Sequence, residues 1–135
     1  MKELIIDAKI ENLDAVLEFI AGELEAAECS MKLQTQIAIT VEEVFVNIAH
    51  YAYLPEVGGA VIRITASDEV CIEFEDNGKP YNPLEKDDPD ITLGAKEREI
   101  GGLGIFMVKK IMDAVEYRHE DGKNILKITK GLVQS

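Results

Sequence analysis

The most informative part of this sequence is the stretch Glu99-Ile100-Gly101-Gly102-Leu103-Gly104-Ile105-Phe106. Three glycines within four positions precede apolar residues at helical spacing, which predicts a glycine-rich turn that opens a helix over 103–113. Glycines let a ligand approach the backbone closely, and the first N–H groups of the helix point out of its positive end. The stretch therefore predicts an anion site, most simply a phosphate site. Glycines also end ordinary loops, so this interpretation depends on two further polar clusters.

Composition and charge limit the class of protein. The 135 residues are predicted to form one domain over 1–135, with 47% hydrophobic and 30% charged residues as in ordinary globular proteins. The net charge of −12 argues against direct binding to nucleic acid, because no basic stripe is present to meet its phosphates. The same charge means that a polyphosphate ligand would need a divalent cation and local hydrogen-bond donors.

Neither a membrane nor a disulfide is indicated. No apolar run is long enough to span a bilayer and the N-terminus has no signal-peptide pattern, which predicts a cytoplasmic protein that does not attach to a membrane. The two cysteines, Cys29 and Cys71, lack metal-ligand spacing. Cys71 lies in an apolar alternating run and is predicted to be a buried free thiol.

The hydrophobic periodicity predicts an α+β fold. The predicted elements, in chain order, are a strand over 2–8, a helix capped by Asn12, a longer helix capped by Ser30, strands over 61–65 and 70–75, a long polar loop over 77–100, the helix over 103–113 and a hairpin over 114–129 turned at Asp121-Gly122. This order implies a two-layer α/β sandwich, in which helices cover one face of a mixed, mainly antiparallel sheet.

The first of the two further clusters is Glu43 and Asn47 on the longer helix. They are four residues apart and so lie one above the other, on a stripe that borders the apolar face. The amide oxygen of Asn47 is a hard ligand suited to Mg²⁺, and Glu43 can accept a proton from a hydroxyl or water. On its own, such a pair is more typical of a helix rim that faces water.

The second cluster is Asp76-Asn77-Gly78, at the end of a predicted strand. Period-two alternation places Asp76 on the same side of the strand as Phe74, which is the buried side. A carboxylate buried there needs a donor, and the exocyclic amine of an adenine is one such donor. Gly78 would let the base lie against the backbone. A plain Asn-Gly turn is an equally good interpretation of this stretch by itself.

In combination, these clusters resemble the motifs of the GHKL (Bergerat-fold) ATP-binding family, which includes histidine kinases and gyrase. The N box is matched by Glu43 and Asn47, the G1 box by Asp76-x-Gly78 and the G2 box by Gly102-x-Gly104. Within the family, the chain is most similar to the anti-sigma factor serine/threonine kinases of bacterial partner-switching systems. Three features carry that closer likeness: the segment 47–53, the loop before the glycines, which is a short lid by the standard of this family, and the glycine stretch itself.

The resemblance implies a role for each matched residue. Asn47 would hold the Mg²⁺ that bridges the phosphates of ATP, and Asp76 would bind the adenine amine with Gly78 beside the base. Glu43 would be the general base toward a serine or threonine hydroxyl of a partner protein. The phosphates would be cradled by the backbone amides of Gly101, Gly102, Leu103 and Gly104.

Two positions leave alternatives open. Arg98 would reach the γ-phosphate, although an arginine in such a loop is more often solvated or paired with an acid such as Glu97 or Glu99. Many members of the wider family carry a Gly-Thr pair before the last strand, and its threonine fixes the adenine-site aspartate. Here that place reads Gly122-Lys123-Asn124, so Asn124 or a water would have to substitute.

The resemblance also implies partners. The chain would be an ATP- and Mg²⁺-dependent protein serine/threonine kinase that phosphorylates a STAS-type anti-sigma factor antagonist. It would regulate transcription by sequestering a sigma factor, and it would be a homodimer, as family members commonly are. The alternative is a non-catalytic regulatory module that binds ATP and sequesters a protein partner without phosphoryl transfer.

Overall fold

The computed structural model describes residues 1–52, 58–80, 82 and 102–131, and it contains one five-stranded sheet. The strands are β1 (Lys2–Asp7), β2 (Gly59–Ala66), β3 (Glu69–Asp76), β4 (Ala114–Glu120) and β5 (Lys123–Gly131). Their order across the sheet is β1-β2-β3-β5-β4, and every pairing between them is antiparallel. The predicted α+β, mainly antiparallel class is confirmed, and no parallel pairing occurs among these strands.

Within the described residues, three α-helices accompany the sheet: α1 (Leu13–Ala26), α2 (Met31–Asn47) and α3 (Gly102–Ile111). Helix α2 begins as predicted, since the Ser30 hydroxyl accepts the Leu33 N–H at 3.1 Å and satisfies one of the free donors of the first turn. The predicted cap of α1 is wrong in its chemistry. Asn12 does precede that helix, but its side-chain amide donates to the Asp7 carbonyl at 2.9 Å and makes no cap bond.

An apolar core lies between the helices and one face of the sheet. Apolar residues at helical spacing on both helices are buried in it, with Val16 and Ile20 on α1 and Ile37, Val41 and Val44 on α2 as examples. Alternate residues of the central strands pack against them. The fully buried members with the largest side chains are Phe45, Phe74, Ile20, Leu24, Ile37, Ile62, Ile64, Ile72 and Ile128. Each is at most 1% exposed, so the two layers are held mainly by apolar burial.

The other face of the sheet carries ion pairs between neighbouring strands. Arg63 on β2 forms ion pairs with Glu3 at 2.8 Å and Glu75 at 3.1 Å, which links three neighbouring strands. Cys71 also lies on this face, where it is free and only half buried, so the prediction that it is a buried thiol is wrong. The reason is the strand period, which places Cys71 opposite to its buried neighbours.

The last two strands form the predicted hairpin. Its two-residue turn has positive φ at both Asp121 (53°) and Gly122 (76°), as a type I′ turn requires. This turn fixes the register so that His119 pairs with Asn124 and Tyr117 pairs with Leu126. The register matters for the site, because Asn124 in turn pairs with Asp76 on β3.

Candidate nucleotide site

Asp76, the last residue of β3, carries the predicted carboxylate on the buried face of the sheet. Alternation along the strand puts its side chain on the same face as Phe74, and only 6% of the residue is exposed. The Gly78 N–H donates to Asp76 Oδ1 at 2.9 Å, and Asn124 Nδ2 donates to the same oxygen at 3.0 Å. In the part of the chain that the structure describes, no hydrogen bond reaches the second oxygen, Oδ2.

The pKa of Asp76 is raised, and burial of the carboxylate is the largest cause. The hydrogen bonds from Asn124 and Gly78 act in the opposite direction, because they stabilise the ionised form. Glu75 adds a smaller increase through like-charge repulsion, and His119 a smaller decrease. The carboxylate is thus poorly solvated and incompletely paired, which suits an acceptor for a ligand's donor.

Asn124 on β5 joins the carboxylate to the turn that follows β3. Besides Asp76, its Nδ2 donates to the carbonyl oxygen of Lys79 at 2.8 Å and lies 3.4 Å from that of Gly78. Its Oδ1 accepts a hydrogen bond from the hydroxyl of Tyr117 on β4. We call Asp76, Gly78, Asn124 and Tyr117 the sheet cluster, since they meet through direct contacts at one edge of the buried face.

Glu43 and Asn47 lie on α2 and form what we call the helix cluster. Asn47 is the last residue of the helix and is 9% exposed, and a π-helical turn over Ile48–Ala52 follows it directly. Its amide nitrogen is buried and has no hydrogen-bond partner in the described part of the chain. Such orphaned amides are rare in native proteins and indicate a missing partner.

Glu43 is half buried one helical step before Asn47. Its pKa is raised, first by burial and then by the negative charge of its exposed neighbour Glu42. A carboxylate with a raised pKa is a stronger proton acceptor than one in water, which is the property required of a general base. The expected placement of both residues on one helical stripe is confirmed by the helix, although their roles stay predictions.

The glycine-rich stretch runs into α3 as predicted. The helix begins at Gly102, so Leu103 and Gly104 lie in its first turn, whose N–H groups have no acceptor within the helix. Helix α3 packs against α2. The remaining predicted phosphate ligands, Gly101 and Arg98, lie outside the described residues, as does most of the predicted loop over 77–100.

The comparison with known families decides the class of domain. The model for the histidine kinase-like ATPase domain matches residues 6–130. The chain belongs to this family. The GHKL resemblance predicted from the three motifs is thereby confirmed over nearly the whole sequence.

Relatives and solved structures agree with this assignment. The chain is 28% identical to the serine/threonine-protein kinase BtrW of Bordetella bronchiseptica over 74% of its own length and 72% of that protein's. It is 26% identical to the serine-protein kinase RsbW of Bacillus cereus, over 92% of its own length and 81% of that protein's. These names support the predicted class of enzyme, an ATP-dependent protein serine/threonine kinase.

Two solved structures share the fold. The RsbU and RsbW domains of Rv1364c from Mycobacterium tuberculosis match with a TM-score of 0.70 at 16% identity, over all of this chain and 34% of that one. The SiaB-SiaC complex from Pseudomonas aeruginosa matches with a TM-score of 0.59 at 13% identity, over 96% of this chain and 89% of that one.

The buried amide of Asn47 fits the phosphate end of ATP. Its unpartnered nitrogen is a hydrogen-bond donor, so it fits an acceptor such as a phosphate or water oxygen, whereas a hard cation would be held by the amide oxygen. The described residues contain no group of three or more His, Cys, Asp or Glu side chains able to hold a metal ion. Within the same residues, no helix has the length and apolar character needed to cross a membrane.

Sequence reasoning missed one residue of the site, Tyr117. A signal for it exists in the hairpin of this ATPase domain. The Asp121-Gly122 turn sets His119 opposite Asn124, so the residue two positions before His119 is a diagonal neighbour of Asn124 on the same face. A tyrosine at that position is long enough to reach the amide.

Proposed function

We propose that this chain is a Mg²⁺- and ATP-dependent serine/threonine protein kinase of the anti-sigma factor type. The observation that carries the proposal is the buried Asp76 carboxylate, which has two donors on one oxygen and none described on the other. An adenine amine would donate to the second oxygen, Oδ2. Gly78, whose own N–H donates to Asp76, has no side chain, so the base would be able to lie directly against its backbone.

The helix cluster is proposed to serve the phosphate end of the nucleotide. Asn47 would hold Mg²⁺ through its amide oxygen, and the amide nitrogen would then have phosphate or water oxygens available as acceptors. The first N–H groups of α3, at Gly102, Leu103 and Gly104, would bind phosphate oxygens, with Gly101 and Arg98 as further predicted contacts. The cation supplies charge neutralisation when it is bound.

Glu43 is proposed as the general base. Half burial and the neighbouring Glu42 raise its pKa, so it accepts a proton more readily than a solvated glutamate. It would take the proton of a serine or threonine hydroxyl of the partner protein as that oxygen bonds to the γ-phosphorus, while the bond from that phosphorus to the bridging oxygen breaks and ADP leaves. Transfer of this kind depends mostly on positioning and charge, since little covalent chemistry falls to the protein.

The partners are proposed from the relatives. We infer a STAS-type anti-sigma factor antagonist as the phosphorylated protein and a sigma factor as the sequestered one, in a cytoplasmic partner switch that regulates transcription. The relatives named RsbW and BtrW support this inference, because they are protein kinases that match 92% and 74% of the chain, respectively. A homodimer of one kinase domain spanning 1–135 is part of the proposal.

Phosphate transfer from γ-labelled ATP to a purified STAS-type antagonist tests the proposal. The wild type should label one serine or threonine of the antagonist, and Glu43→Gln should reduce the rate by about 10²–10⁴-fold without loss of ATP binding. Glu42→Gln is the matched control, because it removes the same charge from the exposed adjacent residue. It should slow labelling only slightly, since Glu42 is the smaller cause of the raised pKa of Glu43 and burial is the larger one.

Two outcomes would contradict parts of the proposal. Unchanged labelling by Glu43→Gln would exclude Glu43 as the base. ATP binding and a stable complex with the partner, but no labelling of it, would establish the alternative of a non-catalytic regulatory module.

A further inference from the structure

We propose that Tyr117 and Asn124 are positioning residues that hold the Asp76 carboxylate in the orientation required to accept an adenine amine. The inference rests on the proposed nucleotide site and extends it to the β4-β5 hairpin. Asn124 is 6% exposed and is in hydrogen-bond contact with Asp76, whereas Tyr117 acts one step further away through Asn124.

The contacts define which way the Asn124 amide points. The described groups near its Nδ2, namely Asp76 Oδ1 and the carbonyl oxygens of Gly78 and Lys79, are acceptors. Its Oδ1 faces the Tyr117 hydroxyl, which can donate. The reverse orientation would set a carbonyl oxygen against a carboxylate and two carbonyls, so the hydrogen-bond chemistry excludes it.

A fixed amide has a direct consequence for the carboxylate. Asn124 Nδ2 and the Gly78 N–H both hold Oδ1, which locks the side-chain torsion of Asp76 and leaves Oδ2 as the acceptor for a ligand. The bond to the Lys79 carbonyl ties the turn after β3 to the same amide. A side chain on β5, oriented from β4, thus sets the position of both the carboxylate and the backbone beside it.

Burial is the largest cause of the raised pKa of Asp76, and the hydrogen bonds from Asn124 and the Gly78 N–H lower that pKa. Among the described residues, the charged groups that act on it are Glu75, its neighbour on β3, which raises the pKa, and His119 on β4, which lowers it. Loss of the Asn124 donor would leave burial and Glu75 less opposed, so the carboxylate would hold its proton to higher pH.

The test uses adenosine as the probe, because it carries no phosphate whose own titration would complicate a pH series. Asn124→Leu removes the donor and keeps the volume, and we expect it to weaken adenosine binding by about 10-fold or more at every pH. Asn124→Asp places a second carboxylate against Asp76, so the two repel each other until they share one proton.

Asn124→Asp gives the readout that a merely structural role would not change. At pH 8 its affinity for adenosine should be at least about 10-fold below that of the wild type. The affinity should recover toward the wild-type value as the pH falls, because a proton shared between the two carboxylates restores a donor. Asn124→Leu should show no such recovery. Tyr117→Phe should weaken binding only a few-fold, since it frees the amide to turn without removing it.

A second measurement does not depend on any ligand. The titration of the Asp76 carboxyl carbon, followed by NMR in the free protein, should move to higher pH in Asn124→Leu and to a smaller extent in Tyr117→Phe. Failure of the wild type to bind adenosine or ATP would contradict the proposed function, yet this titration would still test the positioning pair. An unchanged Asp76 titration, or adenosine binding by Asn124→Leu at wild-type strength, would overturn the inference.

Discussion

The sheet cluster and the helix cluster differ in how fully the protein pairs their buried polar atoms with hydrogen bonds. In the sheet cluster, Asp76 and Asn124 are buried and joined by hydrogen bonds that run from β4 to the turn after β3. In the helix cluster, Asn47 is equally buried, but its amide nitrogen has no partner in the described part of the chain. Both clusters lie in the interior between the helical layer and the sheet.

The difference indicates two kinds of binding. A site whose polar atoms are already held by the fold binds its ligand without much reordering, because the cost of orienting those groups is met during folding. A buried amide without a partner costs about 1–3 kcal/mol, which a ligand recovers when it binds. We therefore expect the sheet cluster to be preformed and the helix cluster to be completed by Mg²⁺ and phosphate.

Replacement of Glu43 should have the largest effect and should separate chemistry from binding. Glu43→Ala should reduce phosphorylation of a true partner by about 10²–10⁴-fold, because the reaction loses its proton acceptor. ATP binding should stay near the wild-type value, as measured by calorimetry. Equal losses of phosphorylation and binding would mean that Glu43 belongs to the ligand-binding residues and not to the reacting ones.

Replacement of Asn47 should have the next largest effect, confined to the cation and the phosphates. Asn47→Ala should weaken Mg²⁺-dependent ATP binding by about 100-fold or more, since even residues that only support a metal ligand contribute about 10–100-fold to metal affinity. Equilibrium titration of ATP with and without Mg²⁺ checks this. Retained Mg²⁺-dependent binding would place the cation elsewhere.

Replacement of Asp76 should affect the base and not the cation. Asp76→Asn should weaken binding of ATP by about 10–100-fold, because a charge-assisted hydrogen bond to the adenine amine is lost. The variant should weaken adenosine binding by the same factor. A loss for ATP with none for adenosine would contradict the assignment of Asp76 to the base.

The two clusters should also differ in their contribution to stability. Asn124→Leu should lower the free energy of unfolding by about 1–3 kcal/mol, because it leaves Asp76 and the Lys79 carbonyl short of a donor. Asn47→Leu should change it by about 1 kcal/mol or less, since no described hydrogen bond of the amide nitrogen is lost. Chemical denaturation of both variants measures the contrast, and equal losses would contradict it.

The pH dependence of stability should show the smallest effect. Burial raises the pKa of Asp76 above its ordinary value of 3.8, so the folded protein holds this proton more tightly than the unfolded chain. The stabilisation is complete below the ordinary pKa and is lost as the pH rises through the folded value. The loss of stability caused by Asp76→Asn should therefore be larger at low pH than at neutral pH. Parallel curves for both proteins would contradict the raised pKa.

The sequence predicted the layers and the position of Asp76 because both follow from residue periodicity. Alternation along β3 assigns Asp76 to the face of Phe74, and the Ser30 cap and the Asp121-Gly122 turn follow from local chemistry. The prediction that Asn12 caps α1 was wrong because the Asp7 carbonyl accepts a hydrogen bond from its side chain instead. Tyr117 was missed because its role depends on a contact across the hairpin.

Glu43 and Asn47 illustrate what periodicity leaves undecided. Their four-residue spacing predicts a shared stripe, but an identical spacing occurs on helix rims that face water. The distinction lies in burial, which depends on how α2 packs against α3 and the sheet. Only the folded chain reveals the raised pKa of Glu43 and the orphaned amide of Asn47.

Calorimetric titration with adenosine and with ATP, each with and without Mg²⁺, tests the central contrast most directly. Adenosine should bind the wild type and Asn47→Ala equally, independent of Mg²⁺, because it engages the sheet cluster alone. ATP should bind the wild type more tightly with Mg²⁺, and Asn47→Ala should lose that gain. Weaker adenosine binding by Asn47→Ala, or an equal Mg²⁺ gain in both proteins, would contradict the division into a preformed base end and a ligand-completed phosphate end.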